Sequence, residues 1–163
     1  MKSLTIAYTT ARPEPRFDWF FSSLAKQPRE LVDKVSIVIV DYFADDPERR
    51  MQVQRLAPDY LLPRLIHTNC KPNVWQGKHR KTTKEWWAKS AYMNTAICLT
   101  TTDWIAFCDD RCVIMPGYLA AISRAMNGNY AVAGSYDKRT GMTVEGGFIK
   151  HGGIVIGEDP RRT

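Results

Sequence analysis

Short runs of β-branched and apolar residues alternate along the chain with stretches in which apolar residues recur every three or four positions. Ser3 to Tyr8 reads as a strand, and Phe17, Phe20, Phe21 and Leu24 then return at helical spacing. Val35 to Val40, an unbroken apolar run of valine and isoleucine around Ser36, predicts a second strand buried on both faces and ending at Asp41. Asp46 suits an N-cap and Pro47 the first helical position of a helix carrying Met51 and Leu56. Arg64 to His67 predicts a short third strand, followed by a polar loop from Thr68 to Lys81 that contains Pro72 and Gly77. Thr82 and Glu85 have capping-box spacing and open a helix with Trp86, Ser90, Met93 and Ile97 on one face. Asp103 to Phe107 predicts a fourth strand running into Cys108-Asp109-Asp110, and Pro116 opens a helix with Leu119, Ile122 and Met126 inward. Tyr130 to Gly134 reads as a fifth strand, and the glycine-rich stretch from Thr143 to Ile156 as a C-terminal hairpin.

Strands alternating with helices predict an α/β fold: a mainly parallel central sheet flanked by helices on both faces, Rossmann-like, in one domain spanning residues 1–163. In such sheets ligands gather beyond the carboxyl ends of the strands. The residues predicted there are Thr9, Thr10 and Arg12 after strand one, Asp41 after strand two, and Asp109 with Asp110 after strand four.

Composition changes this picture only slightly. With 44% hydrophobic and 25% charged residues the chain has the makings of a folded globular protein. No stretch approaches the roughly 18 apolar residues that cross a bilayer. A strand so close to Met1 leaves no space for a signal peptide, which makes a cytoplasmic location, including the periphery of a membrane, the expectation. The cysteines (Cys70, Cys98, Cys108 and Cys112) form no disulfide framework and no CxxC pair. The net charge of +6 is concentrated in Lys71, Lys78, Arg80, Lys81, Lys84 and Lys89, opposed only by Glu85. Such a segment attracts the phosphates of a nucleotide, a nucleic acid or a membrane surface, or else forms a solvated loop and helix face. Trp75, Trp86 and Trp87 lie among these cations, a combination that also suits stacking on single-stranded nucleic acid. No GxxxxGK[ST] loop occurs and no GxGxxG follows the first strand, which excludes the usual P-loop and dinucleotide cradles.

Asp109 and Asp110 carry the sharpest chemical signal. Adjacent carboxylates at the end of an apolar strand repel one another and lose hydration, so a positive partner is expected. A hard cation such as Mg²⁺ or Mn²⁺ takes oxygen ligands and keeps positions open for phosphate. A turn cap with an Arg111 pair is the structural alternative. Asp41 suits hydrogen bonds from ribose hydroxyls or a base N–H, and equally suits ordinary turn chemistry.

Successive blocks, SLTIAYTTAR, VSIVIVDYFADD, AKSAYMNTAICLTTTDWIAFCDD and RCVIMPGYL, stand in the order and spacing of the N-terminal part of a family 2 glycosyltransferase of the GT-A fold, which this chain resembles between Ser3 and Met126. The resemblance implies a nucleoside diphosphate sugar donor, probed first as a UDP sugar, with Mn²⁺ or Mg²⁺ as cofactor. It implies that Thr9, Thr10 and Arg12 line the nucleotide pocket and that Asp41 holds the uracil or ribose. Asp109 would hold the sugar or ribose, and Asp110 the metal bridging the diphosphate. Asn94 stands where the family has a small-residue, Arg, Asn run, but Met93 replaces that arginine, so Lys89 or the Lys78–Lys81 segment would supply the phosphate-facing charge. Arg111 likewise replaces the third residue of the family's acidic motif. Enzymes of this kind invert the anomeric carbon with a carboxylate base, for which Glu158 and Asp159 are the candidates. The acceptor-side region of the family is missing from this stretch, which implies a fragment or a short relative. The acceptor (saccharide, lipid-linked, protein or nucleic acid) is open, and a nucleic-acid-binding module built on residues 71–89 or a nucleotide binder without catalysis are the competing readings.

Overall fold

In the computed structural model, which describes residues 1–71 and 89–128, the apolar runs assemble into one sheet. Its strands are β1 (Leu4–Thr10), β2 (Val35–Asp41), β3 (Leu65–Thr68) and β4 (Trp104–Asp109), in the order β3-β2-β1-β4. All neighbours are parallel, with Leu4 opposite both Val35 and Trp104 and Ile37 opposite Leu65. Five helices surround it: α1 (Phe17–Ala25), α2 (Arg29–Val32), α3 (Pro47–Leu56), α4 (Lys89–Leu99) and α5 (Tyr118–Ala125), with a 3-10 turn at Leu62–Arg64 before β3. The fold is α/β, as the alternation of patterns predicts.

Parallel strands covered on both faces need apolar residues on both, and β2 shows how the run is used. Ile37 and Ile39 point into the larger core with Leu4, Ile6 and Tyr8 of β1, while Val38 and Val40 point into a smaller core with Ala7. The larger core takes Phe17, Phe20, Phe21 and Leu24 from α1, Val32 from α2, Val53 from α3 and Leu119 from α5. Tyr8 stacks at a tilt on Phe17 and Phe20, with ring centroids 5.3 and 5.0 Å apart. Full burial of a side chain of this size contributes roughly 1.5–3 kcal/mol, which makes α1 the principal buttress of the sheet.

The smaller core is covered by α4, and here the expected face is corrected. Ser90 and Ile97 face solvent and Met93 is only half-buried, whereas Ala91, Tyr92, Thr95 and Ala96 are buried against Ala7, Val38 and Val40. Small residues let the helix axis approach the sheet closely, and this outweighs the larger apolar area of Ile97. In α3 the buried positions are Arg49 and Val53 rather than Met51, which is 60% exposed. Its N-terminus follows expectation, with the Asp46 carboxylate accepting from the Glu48 N–H at 2.9 Å and Pro47 in the first turn. α5 begins at Tyr118, two positions beyond Pro116, because Gly117 takes a left-handed φ of 80° that only glycine adopts without strain. The stretch before it is moored to α1: the Ile114 N–H donates to Ser23 Oγ at 2.8 Å, and buried Gln27 donates to the Met115 carbonyl at 2.9 Å. The fifth strand at Tyr130–Gly134, the hairpin at Thr143–Ile156 and the Thr82–Glu85 capping box lie outside the described residues. Among the described residues no helix is long and apolar enough to cross a membrane.

Candidate functional site

Strand order locates the site. From β1 the chain steps outward through β2 to β3, then crosses back to place β4 on the far side of β1. The helix that leaves β1 (α1) and the helix that enters β4 (α4) thus cover opposite faces, strand order reverses between β1 and β4, and the crevice there is the switch point at which open parallel sheets bind ligands. Thr9 lies opposite Asp109 across this crevice, and Thr10 opposite Asp41 on the other flank of β1.

Because successive strand residues alternate faces, the two neighbouring acids part company. Asp110 turns to the α1 side, where it accepts a hydrogen bond from Thr10 Oγ1 at 3.0 Å and pairs with Arg12 Nε at 2.6 Å. Asp109 turns to the α4 side, where Lys89 Nζ approaches its Oδ1 at 2.7 Å. Each carboxylate thus has a positive partner within the chain, and among the described residues neither of them is Arg111. Asp110 keeps 16% of its side-chain surface and Asp109 keeps 61%, while Arg12 and Lys89 are half exposed. Oδ1 of Asp110 and Oδ2 of Asp109 accept no hydrogen bond among the described residues.

Asp41 behaves differently. It is fully buried, with Oδ1 accepting the Phe43 N–H at 3.0 Å and Oδ2 lying 3.4 Å from Arg49 Nε and 3.2 Å from His67 Nε2. Its oxygens are turned into the protein rather than toward a ribose or base. Arg49, itself buried, donates onward to the carbonyls of Arg12 at 3.0 Å and Pro13 at 2.6 Å and to Gln52 Oε1 at 3.2 Å. Asp41 thereby aims a guanidinium that pins the loop after β1, the loop that delivers Arg12 to Asp110. Neither Arg49 nor His67 stands out in the sequence as a site residue. The one signal for Arg49 is an i, i+4 pairing with Val53 on an otherwise polar helix.

The turn after β4 completes the rim. Arg111 has a φ of 61°, the only non-glycine residue with positive φ among those described, a conformation costing about 1–2 kcal/mol for an L-residue. Beneath it lies the buried Tyr8 hydroxyl, whose ionisation is pushed strongly upward by burial and then by the charge of Asp110. Cys108 and Cys112 flank the turn, Cys108 Sγ donating to the Asp109 carbonyl at 3.6 Å, and the influence of each thiol on the other raises Cys108 and lowers Cys112. Burial raises nearby Tyr118 to about 12.

Of the residues expected at the site, Thr9, Thr10, Arg12, Lys89, Asp109 and Asp110 meet at one rim, and Asp41 lies behind it. Asn94 is exposed on α4, five residues beyond Lys89, a rise of about 7.5 Å along the helix and away from the rim. Glu158, Asp159 and most of the basic segment, with Trp75, Trp86 and Trp87, lie outside the described residues. Among the described residues no three His, Cys, Asp or Glu side chains form a metal cage. Mg²⁺ and Mn²⁺ do not require one when phosphate and water complete the shell. Compared with models of known protein families the chain matches none, and it matches no curated protein in sequence.

Proposed function

We propose that the rim between β1 and β4 binds a nucleoside diphosphate sugar and that the chain is the donor-binding part of a glycosyltransferase. One observation carries this reading: the acids at the end of β4 stand at the switch point, Asp110 tied to Thr10 of β1 and Arg12 of the loop after it, and Asp109 to Lys89 of α4. A cluster with two carboxylates repels a diphosphate unless a cation intervenes. Asp110 would hold Mg²⁺ or Mn²⁺ through its outward oxygen, with Asp109, on the other face, toward the sugar or ribose, and the bound ion would neutralise charge developing on the departing diphosphate. Arg12 and Lys89 are already at the rim, half exposed, and can shift from carboxylate to phosphate at little cost, since exposed ion pairs are worth at most about 1 kcal/mol. Thr9 and Thr10 supply the floor. Buried Asp41 positions Arg49 and the Arg12 loop and does not touch the donor. In this reading the acceptor hydroxyl is deprotonated by Glu158 or Asp159.

Thermal unfolding with UDP, GDP and their sugars, each with and without Mn²⁺, tests the proposal. A ligand at a hundred times its dissociation constant stabilises the folded state by about 2.7 kcal/mol, a rise in melting temperature of roughly 5–10 °C at this chain length. Asp110→Asn should abolish a Mn²⁺-dependent rise while leaving the unliganded transition within a few degrees of the parent. A folded parent that shows no rise with any nucleotide, with or without metal, would sink the proposal.

A further inference from the structure

The donor reading leaves one cation of the rim without a task. Arg12 is paired with Asp110 and Lys89 with Asp109. Arg111, directly after the two acids, is exposed, and among the described residues its side chain joins no ion pair and no hydrogen bond. Glycine would take a φ of 61° without strain, whereas an arginine there is held against its own Cβ. The turn is fastened on either side, by Asp110 to Thr10 and Arg12 before it and by Ile114 to Ser23 Oγ after it. Strain of this kind persists where surrounding contacts over-determine the backbone, and it clusters at functional sites. No polar contact within the described residues offsets it, so a partner from outside the chain is the natural complement of this guanidinium.

Charge balance at the rim identifies that partner. The acids and the cations paired with them cancel. A divalent cation and the diphosphate of an intact donor, which carries a single negative charge on each phosphate, cancel as well. The donor complex is therefore neutral without Arg111. In the transfer, the bond between the anomeric carbon and the diphosphate oxygen breaks, and its electron pair stays on that oxygen. The acceptor oxygen bonds to the anomeric carbon, and its proton passes to the base. The departing nucleoside diphosphate now ends in a phosphate monoester, whose charge at pH 7 is about −1.5 to −2. Extra negative charge thus appears only as the bond breaks. We infer that Arg111 meets this charge and is the leaving-group residue of the donor site, binding the transition state and the released diphosphate more strongly than the intact donor. Its planar fork of donors matches phosphate oxygens.

The assignment rests on the donor reading, and the experiment keeps the two apart. Isothermal titration calorimetry of the full chain with saturating Mn²⁺ compares UDP with UDP-glucose and GDP with GDP-mannose. The proteins are the parent, Arg111→Gly, Arg111→Gln and Arg111→Lys. Glycine suits the left-handed position, so a urea midpoint at or above that of the parent separates lost binding from lost fold. Arg111→Gln keeps the backbone strain and most of the length and removes only the charge. In both uncharged variants the free diphosphate should bind about tenfold more weakly, the loss of one charge-assisted contact, and the sugar nucleotide less than about threefold more weakly. Arg111→Lys should retain most of the affinity for the diphosphate. Equal weakening of both ligands would overturn the assignment, because Arg111 would then grip the phosphates of the intact donor. Unchanged binding of both would overturn it by showing that the side chain touches neither. In either case the parent still binds and the donor reading survives. A folded parent that binds neither the nucleotides nor their sugars defeats the donor reading and this assignment with it.

Discussion

Replacing Asp41 by asparagine keeps the volume of a fully buried side chain and removes only its charge. The Phe43 N–H can still be accepted by the amide oxygen, but the amide nitrogen then faces Arg49 and His67, which stand 3.4 and 3.2 Å from the present Oδ2. Arg49 stays charged and buried, with only the carbonyls of Arg12 and Pro13 and the Gln52 side chain as acceptors. Removing one member of a buried ion pair costs about 3–5 kcal/mol. The remaining neutral acceptors and the length of the Asp41–Arg49 contact place this case at the low end, about 3 kcal/mol. With a urea dependence of about 2 kcal/mol per molar, typical for a small domain, the unfolding midpoint should fall by roughly 1.5 M. Arg49→Met should cost a similar amount, by leaving the buried carboxylate with only His67 and the Phe43 N–H. The double variant should be less destabilised than the sum of the singles, by about 1–3 kcal/mol, because the shared interaction is then lost only once. Equilibrium urea unfolding followed by far-UV circular dichroism reads all four proteins. Midpoints for both single variants within about 0.3 M of the parent, at unchanged slope, would refute the claim that this pair holds the loop.

Two further outcomes follow from local geometry. Arg111→Gly removes the cost of a left-handed L-residue and should raise stability by about 0.5–1 kcal/mol, read as a higher urea midpoint; a lower midpoint would mean that the Arg111 side chain makes contacts outweighing its backbone strain. Burial alone would raise Asp18, but the Arg16 hydrogen bonds override it and hold the carboxyl below its usual value. A depressed carboxylate stabilises the fold above its unfolded-state value, and that contribution disappears as pH falls through the folded one. Asp18→Asn should therefore lower the melting temperature slightly at pH 7 and leave it unchanged once the carboxyl is protonated in both folded and unfolded states. An equal loss at both would assign the effect to packing instead.

Which features were legible in the sequence follows a physical division. β1, β2, α1 and the Asp46-Pro47 start of α3 are specified by neighbouring residues, and they stand where the pattern puts them. The buried face of α4 was not legible, because Ala91, Thr95 and Ala96 are chosen for size, and size is invisible to a scale of apolarity. The short α2 and the 3-10 turn carry too few residues for a periodicity to register. The gathering of Thr10, Arg12 and Asp110 follows from the rule that ligand-binding loops leave the carboxyl ends of parallel strands. The inward turn of Asp41 does not, for it depends on an arginine supplied by α3 and a histidine supplied by β3. The separation of Asp109 from Asp110 is implicit in the two-residue period of a strand, which sends neighbouring side chains to opposite faces.

Sheet order has a temporal consequence as well. β1 is synthesised first, yet its second neighbour arrives only with β4, so the Thr10–Asp110 contact joins residues one hundred positions apart. Closing so long a loop is entropically slow compared with pairing β1 to β2, and non-local pairings of this sort set the pace of folding. Among the described residues the cleft thus closes late: β1, β2 and α3 can clasp Asp41 and Arg49 together early, but two-sided grip exists only once β4 has docked.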